Sequence, residues 1–467
     1  MPPLRPRTDR PTAALGGRTW AALVILGLTG QLAWTVENMY LNVFVYNTIT
    51  DNPTVLAGMV AASAVTATVA SLLVGSASDR LRRRRIFIST GYVLWGGCTA
   101  AFGFISVDAA AALGPARDAV VLSVVAVVAL DCLLSFFGSG ANDAAFNAWV
   151  TDSTVPANRG RVDSVLSIMP LLSMLVVFGA LDGMTRAGMW QEFFAVIGLT
   201  TAAVGVLSWF LVREHPDAAP GAENYLRSLV HGLRPSAVRD SPGLYLVLAA
   251  AAVLGIAAQI FLPYLIIYLQ RFLRIENYAL PLAVVLVAAS VASVAGGRLI
   301  DRIGKIRAIL PAAGVMVVGA AGMFFARGQG PVMLAGTVMM AGFLLATAAV
   351  MASVRDFTPP GRAGNVQGLR MIFAVMIPMV VGPFIGSAVI IGANETYLDL
   401  GVLRQVPTPW IFLAAAAVAL LTIVPVYLLH RLNTLHDTQH PPAAGAASGP
   451  ATGAGQKTAE KKENTAP

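Results

Sequence analysis

About twelve runs of apolar residues, each long enough to cross a lipid bilayer, divide this chain of 467 residues. A hydrocarbon core needs ~20 residues of helix. In the first half the runs fall near 19–46, 54–78, 86–108, 119–150, 164–184 and 190–212. In the second they fall near 243–270, 277–300, 307–326, 331–354, 366–393 and 408–430. Backbone polar groups inside lipid must bond within their own segment, which a helix achieves. Charged residues make up 12% of the chain, against about 25% in soluble domains. The expected fold is therefore an all-α membrane protein of twelve transmembrane helices.

Two repeats organise those helices. A basic turn, Gly75, Asp79 and Arg80 followed by Arg82 to Arg85, recurs as Gly297, Asp301, Arg302, Gly304 and Lys305. A second segment, Asp152 to Val162, aligns with Asp356 to Val366 and joins the fourth and fifth runs of each half. Corresponding loops on one membrane side mean parallel six-helix repeats, an arrangement that places a site at the midplane between the halves. The expected division is a tail at 1–18, a first half at 19–212, a linker at 213–242, a second half at 243–432 and a disordered tail at 433–467. The linker is rich in Pro, with one surface helix expected around Ala222–His231.

Charge sets the orientation. With the N-terminus inside, 25 of the 32 Lys and Arg residues lie in inside segments and 6 in outside segments, with Arg370 inside a run. Lys and Arg favour the cytoplasmic side, so both termini are expected there. The formal charge of +8 does not indicate nucleic acid, because the basic residues sit in short turns between apolar runs. Cys98 and Cys132 lie inside apolar runs, so no disulfide framework is expected. The chain has no HExxH, GxSxG or GxxxxGK[ST] sequence, and its five His residues lie in the linker or near the C-terminal end. An enzyme and an ATP-driven pump are excluded, and no cofactor or metal is expected.

The basic turn resembles the signature of the major facilitator superfamily, Gly-x-x-x-Asp-Arg-x-Gly followed by basic residues. The second copy keeps it in full, and the first has Arg82 in place of the second glycine. The resemblance, with the twelve-helix plan and central linker, implies a secondary transporter working by alternating access. Gly30 to Asn42 and Asp143 to Val150 also resemble the first and fourth helices of the glycoside–pentoside–hexuronide cation symporters. In that group an aspartate of the fourth helix helps bind cation and sugar. Pro53 to Ser78 carries no aspartate, unlike the sodium-coupled members, so a proton is the expected coupling ion with sodium as the alternative.

Ionisable groups at bilayer depth are costly and mark pathways or coupling sites. Four stand out: Glu37, Asp131, Asp143 and Arg370. Arg370 needs a carboxylate partner, with Asp143 the first expectation and Glu37 the second. Asp131, Ser135, Gly138 and Asn142 share one helix face by spacing, with Ser139, Asp143 and Asn147 on a neighbouring stripe. Trp34, Asn38 and Asn42 stack on the first helix, their amides needing a polyol ligand or an inter-helix bond. Gln259, Phe261, Tyr264 and Tyr268 offer aromatic faces and an amide on the seventh, although Tyr268 also suits the interfacial aromatic belt. Pro170, Pro378 and Pro383 are candidate points of bending. Asp79 and Asp301 are expected to cap the start of an adjacent helix or to pair with arginine across the cytoplasmic face when it is closed and release on opening, while Arg82 to Arg85 also suit a role in fixing orientation alone. Together these residues suggest a monomeric bacterial inner-membrane symporter of sugars or glycosides. The alternatives are efflux of amphipathic compounds and a non-transporting sensor.

Overall fold

The computed structural model describes residues 15–81, 83–112, 118–214, 234–358, 363–399 and 402–439. Among the described residues, twelve helices are long and apolar enough to cross a membrane. They are α1 Gly17–Thr48, α2 Pro53–Leu81, α3 Arg84–Phe104, α4 Ala119–Asp152, α5 Arg161–Arg186 and α6 Trp190–Leu211, followed by α7 Pro242–Phe272, α8 Ala279–Gly297, α9 Lys305–Phe325, α10 Gln329–Asp356, α11 Gly368–Ala393 and α12 Trp410–Leu432. Bulky apolar side chains such as Leu199, Val294, Phe325 and Leu334 are exposed, as lipid-facing helices require.

Helix packing repeats six helices on. The α3–α6, α2–α4, α1–α5 and α1–α6 pairs of the first half recur as α9–α12, α8–α10, α7–α11 and α7–α12. The chain is thus built of two parallel six-helix repeats, joined most extensively where α2 meets α11.

Several helices depart from regular geometry. Five-residue π segments occur at Val36–Tyr40, Val177–Leu181, Tyr268–Phe272 and Ile372–Met376, and an eight-residue one at Ser139–Phe146. The α11 segment ends just before Pro378, which has no N–H to return to Ala374. The seventh helix breaks after Gln259 into a 3-10 turn at Leu262–Tyr264 that contains Pro263. Gln259, Phe261, Tyr264 and Tyr268 therefore do not share the continuous face their spacing predicted. Between α11 and α12 the sequence forms an unexpected antiparallel hairpin, β1 Thr396–Asp399 with β2 Val402–Gln405. The expected linker helix at Ala222–His231 lies outside the described residues; a short helix, Pro235–Asp240, precedes α7. The helix of α12 runs on to Gln439, into the stretch expected to be disordered, and the rest of that tail is outside the described residues.

The side-chain bonds that join the halves lie at the face opposite the basic turns. Tyr46 donates to the Gln405 carbonyl at 2.5 Å, and Arg271 donates to Asn47 at 2.8 Å. The Gln405 N–H donates to Asp51 at 2.8 Å, and Arg404 donates to the Tyr46 carbonyl at 3.0 Å. The hydroxyls of Thr54 and Ser387 meet at 3.1 Å. The Tyr264 hydroxyl lies 3.1 Å from the Pro53 carbonyl and 2.9 Å from that of Pro383. Tyr278 donates to Asp182. The hairpin thus lies over the α1–α2 turn, and this face is closed.

The basic turns act within their own halves. Arg84 pairs with Asp79 and, at 3.2 Å, with Asp152, and it donates to Ser78 at 2.6 Å. Lys305 reaches both Asp356 oxygens at 2.7 Å. Each turn is therefore clipped to the end of its half's fourth helix, so the two repeated segments of each half meet. The arginine that Asp79 holds is thus a local one, at the start of α3 one turn away. Arg80 and Arg302 point outward, exposed, and the Asp301 side chain lies outside the described residues. Glu214 accepts from the backbone N–H groups of Arg84 and Arg85 at 3.1 and 2.9 Å, satisfying two of the free donors of the α3 N-terminus. Gly304 has φ of 93° between α8 and α9, a conformation that excludes most side chains.

Candidate functional site

Helices α1 to α4 bring three carboxylates together. Glu37 lies on the π segment of α1 and is 7% exposed, and Asp131 on α4 is 2% exposed. Asp131 and Asp143 are close enough for their charges to act on Glu37. Ser135 donates to Glu37 Oε1 at 2.5 Å, and Ser63 of α2, which donates to the Val60 carbonyl at 3.1 Å, lies near Asp131. Glu37 Oε2 and Asp131 Oδ1 are buried without a partner. A buried polar atom left unpaired costs several kcal/mol at most and about 1–3 in typical proteins. These oxygens are the open valences of the site.

Asp143 stands beside this pair in a denser network. It accepts from Asn142 at 3.0 Å and from Ser139 at 3.1 Å, and the Trp34 side chain lies close by. Ser139 also meets Ser71 of α2 at 2.6 Å. Tyr92 of α3 donates to Asn142 at 2.8 Å. The π segment Ser139–Phe146 holds an extra residue per turn. Asn142 and Asp143 therefore face one network, where 3.6-residue spacing had separated them onto two stripes.

Close packing at Gly30 makes this possible. A Cβ there would stand 2.4 Å from Asn142 Oδ1 and 2.8 Å from the Tyr92 hydroxyl. Gly30→Ala is expected to destabilise the protein by about 1–3 kcal/mol, as overpacking does, and to displace Asn142. Thermal unfolding in detergent beside Gly27→Ala, whose tightest contact is 3.0 Å to the end of the Leu166 side chain, would show the larger loss at Gly30.

The remaining predicted residues divide. Asn38 bonds back to the Trp34 carbonyl at 2.8 Å, Asn42 to that of Asn38 at 3.1 Å and Asn147 to that of Asp143 at 3.1 Å. Each of the three amides thus spends one of its two N–H donors on its own helix. Asn42 Oδ1 stays buried and unpartnered. Trp34 lies 5.2 Å from Trp95.

Arg370 corrects its expectation. It is exposed, close enough to Arg355 for the two charges to interact, and pairs with neither Asp143 nor Glu37. It lies at the start of α11, in the other half from both carboxylates. The seventh-helix aromatics are fully buried. Tyr264 holds the closed face, and Tyr268 packs on Phe272 and Phe412 at 5.3 and 5.1 Å. They are packing groups in this state, and Tyr268 is not in an exposed belt. Gln259 stands half-buried against Gly382 of α11.

One further carboxylate escaped the sequence reading. Asp182, on the last turn of α5, is fully buried and accepts from Tyr40 at 3.0 Å and from Tyr278, while Arg186 pairs with it at 2.8 Å. It falls within the fifth predicted run, and the Asp182–Arg186 spacing of four was the available signal. Its place near the run's end made it look like a flanking charge.

Among the described residues, no group of three or more His, Cys, Asp or Glu has the arrangement of a metal site. Twelve spans, twofold repetition and buried carboxylates with open oxygens define a multi-pass membrane transporter. The sequence model of the Major Facilitator Superfamily matches residues 23–383, and the chain belongs to that family. It is not an enzyme.

Solved structures share the fold at low identity. A mutant form of the nucleoside transporter NupG is similar with a TM-score of 0.68 at 12% identity, covering 88% of this chain and 99% of its own. A bacterial homolog of the human lysosomal transporter Spinster, inward-facing and occupied, gives 0.66 at 13%, covering 88% and 96%. The xylose transporter XylE from E. coli, partially occluded and inward open, gives 0.62 at 16%, covering 88% and 98%. A comparison with curated protein sequences returned no match.

Proposed function

We propose that this transporter moves a polar small molecule, a sugar or glycoside, together with a proton across a bacterial inner membrane. Its halves are taken as 19–212 and 243–432, joined by the linker 213–242, with both termini cytoplasmic as the Lys and Arg distribution favours. The observation that carries the reading is the Glu37–Asp131 pair, two buried carboxyl groups with open oxygens. Such a pair in a low-dielectric interior calls for a compensating positive charge. A proton suits it better than a metal ion, since the third carboxylate, Asp143, already accepts from Ser139 and Asn142. The hydroxyls, amides and indole around Asp143 suit a polyol, and two structures of like fold are named for a nucleoside and for xylose. With the outer face closed, the molecule stands in the state that communicates with the cytoplasm. Arg370 is exposed toward that side, where it can meet an electronegative part of the substrate.

The test is uptake into proteoliposomes of a panel of labelled sugars and nucleosides, under an imposed proton or sodium gradient. Accumulation of at least one polyol, driven by the proton gradient and abolished by a protonophore, is expected. Accumulation driven by sodium alone, or transport only of amphipathic compounds outward, would overturn the reading.

A further inference from the structure

We propose that Asp182 is the lock of the outer gate, and that the π segment Val36–Tyr40 ties its hold to Glu37. The proposal rests, for its second part only, on Glu37 belonging to the coupling pair.

Asp182 is the one fully buried carboxylate among the described residues that bonds both halves. Tyr40 and Arg186 hold it from its own half, on α1 and α5. Tyr278, which immediately precedes α8, reaches it from the other half and is itself fully buried. Thr185, whose hydroxyl donates to the Asp182 carbonyl at 2.9 Å, lies beside Tyr278, so the junction includes the last turn of α5. Parting of the halves at this face has to withdraw the Tyr278 hydroxyl from Asp182 and admit water to it. Hydrogen bonds to charged groups are among the stronger ones, so this contact weighs heavily on the outward–inward balance.

The connection to the site is short. Glu37 and Tyr40 lie three residues apart on one five-residue π segment, closed by the Leu41 N–H bonding the Val36 carbonyl. Glu37 is held by Ser135 on α4, and Tyr40 by Asp182 on α5. A π segment carries one more residue in its turn than an α-helix. If Glu37 changes partner and the segment tightens to α, the backbone after it rotates and Tyr40 leaves Asp182. A change of proton or substrate at Glu37 thereby loosens the outer lock. No groove, cavity or long-range wire is needed, only one helical turn with two registers.

The experiment is a distance measurement between spin labels at Asp108→Cys and Gln329→Cys, in a background with Cys98 and Cys132 replaced by Ser. Both label positions are exposed and stand at the outer face in opposite halves. Tyr278→Phe removes only the hydroxyl that crosses between the halves. It is expected to raise the ratio of outward-open to closed molecules about tenfold, the effect of losing one hydrogen bond to a charged acceptor. Thermal unfolding should change little, since the ring stays packed. Tyr40→Phe is expected to shift the ratio in the same direction. Glu37→Gln is expected to shift it in the parent but not in Tyr40→Phe. An unchanged distance distribution in Tyr278→Phe would overturn the lock. A shift in Tyr278→Phe with equal responses to Glu37→Gln in the two backgrounds would overturn the link to Glu37. Neither readout needs a substrate or a gradient, so failure here is distinct from failure to find proton-driven uptake.

Discussion

Glu37→Gln is expected to abolish uphill accumulation of substrate while leaving exchange between equal pools. The replacement keeps the shape and the hydrogen bond from Ser135, which lies 2.5 Å from Glu37 Oε1. It removes the ability to alternate between charged and neutral forms. Without that alternation, the coupling between ion and substrate, typically about 1–3 kcal/mol or 5–150-fold, is lost. The accumulation ratio should fall to one and the dependence of exchange on external pH should vanish. Asp143→Asn provides the contrast. Asp143 already accepts from Asn142 and Ser139, and the asparagine's own donors face those donors. The expected result is weakened substrate binding with the pH dependence retained. Uptake, counterflow and their pH profiles, measured on the same reconstituted preparations, separate the two outcomes.

Arg84→Ala is expected to be the most destabilising of the charge removals at the basic turns. Its side chain is 13% exposed and holds Asp79 and Asp152, which are 34% and 21% exposed. Its loss leaves two part-buried carboxylates facing each other and frees Ser78, at a cost of about 2–4 kcal/mol, between the values for exposed and buried pairs. The counterpart in the second half is more open, Lys305 at 39% and Asp356 at 55%. Lys305→Ala is therefore expected to cost about 0–1 kcal/mol. Unfolding temperatures and the yield of folded protein in detergent check the difference. Equal losses in the two variants would show that the repeats carry the same load despite their unequal burial.

The inequality between the copies was visible as Arg82 in place of a glycine, but its consequence was not. The spans, the repeats, the buried Glu37 and Asp131 and the half-buried Asp143 were legible because lipid imposes length and makes charge conspicuous. Partners were less legible. Arg370 was assigned a carboxylate because a lone cation inside a run needs one, yet it lies in the half that carries neither Glu37 nor Asp143. The π segment at Ser139–Phe146 rotated Asn142 and Asp143 onto one network, and no spacing rule based on 3.6 residues can foresee that. Pro263 was present to warn that the seventh helix breaks, and Tyr264 consequently serves the interface between halves. The hairpin at Thr396–Gln405 is too short to show a pattern beside runs of twenty residues. Asp182 was missed because it lies near the end of its run, yet it is fully buried where the halves meet on the face opposite the basic turns.

The most direct test of proton coupling through Glu37 is charge movement. Proteoliposomes adsorbed on a solid-supported membrane would be challenged with a transported sugar or nucleoside, with no ion gradient and no sodium present. The account predicts a transient current of positive charge in the direction of the substrate in the wild type, and none in Glu37→Gln although that variant still exchanges substrate. A current of equal size in Glu37→Gln, or substrate movement in the wild type without any current or pH change, would contradict it.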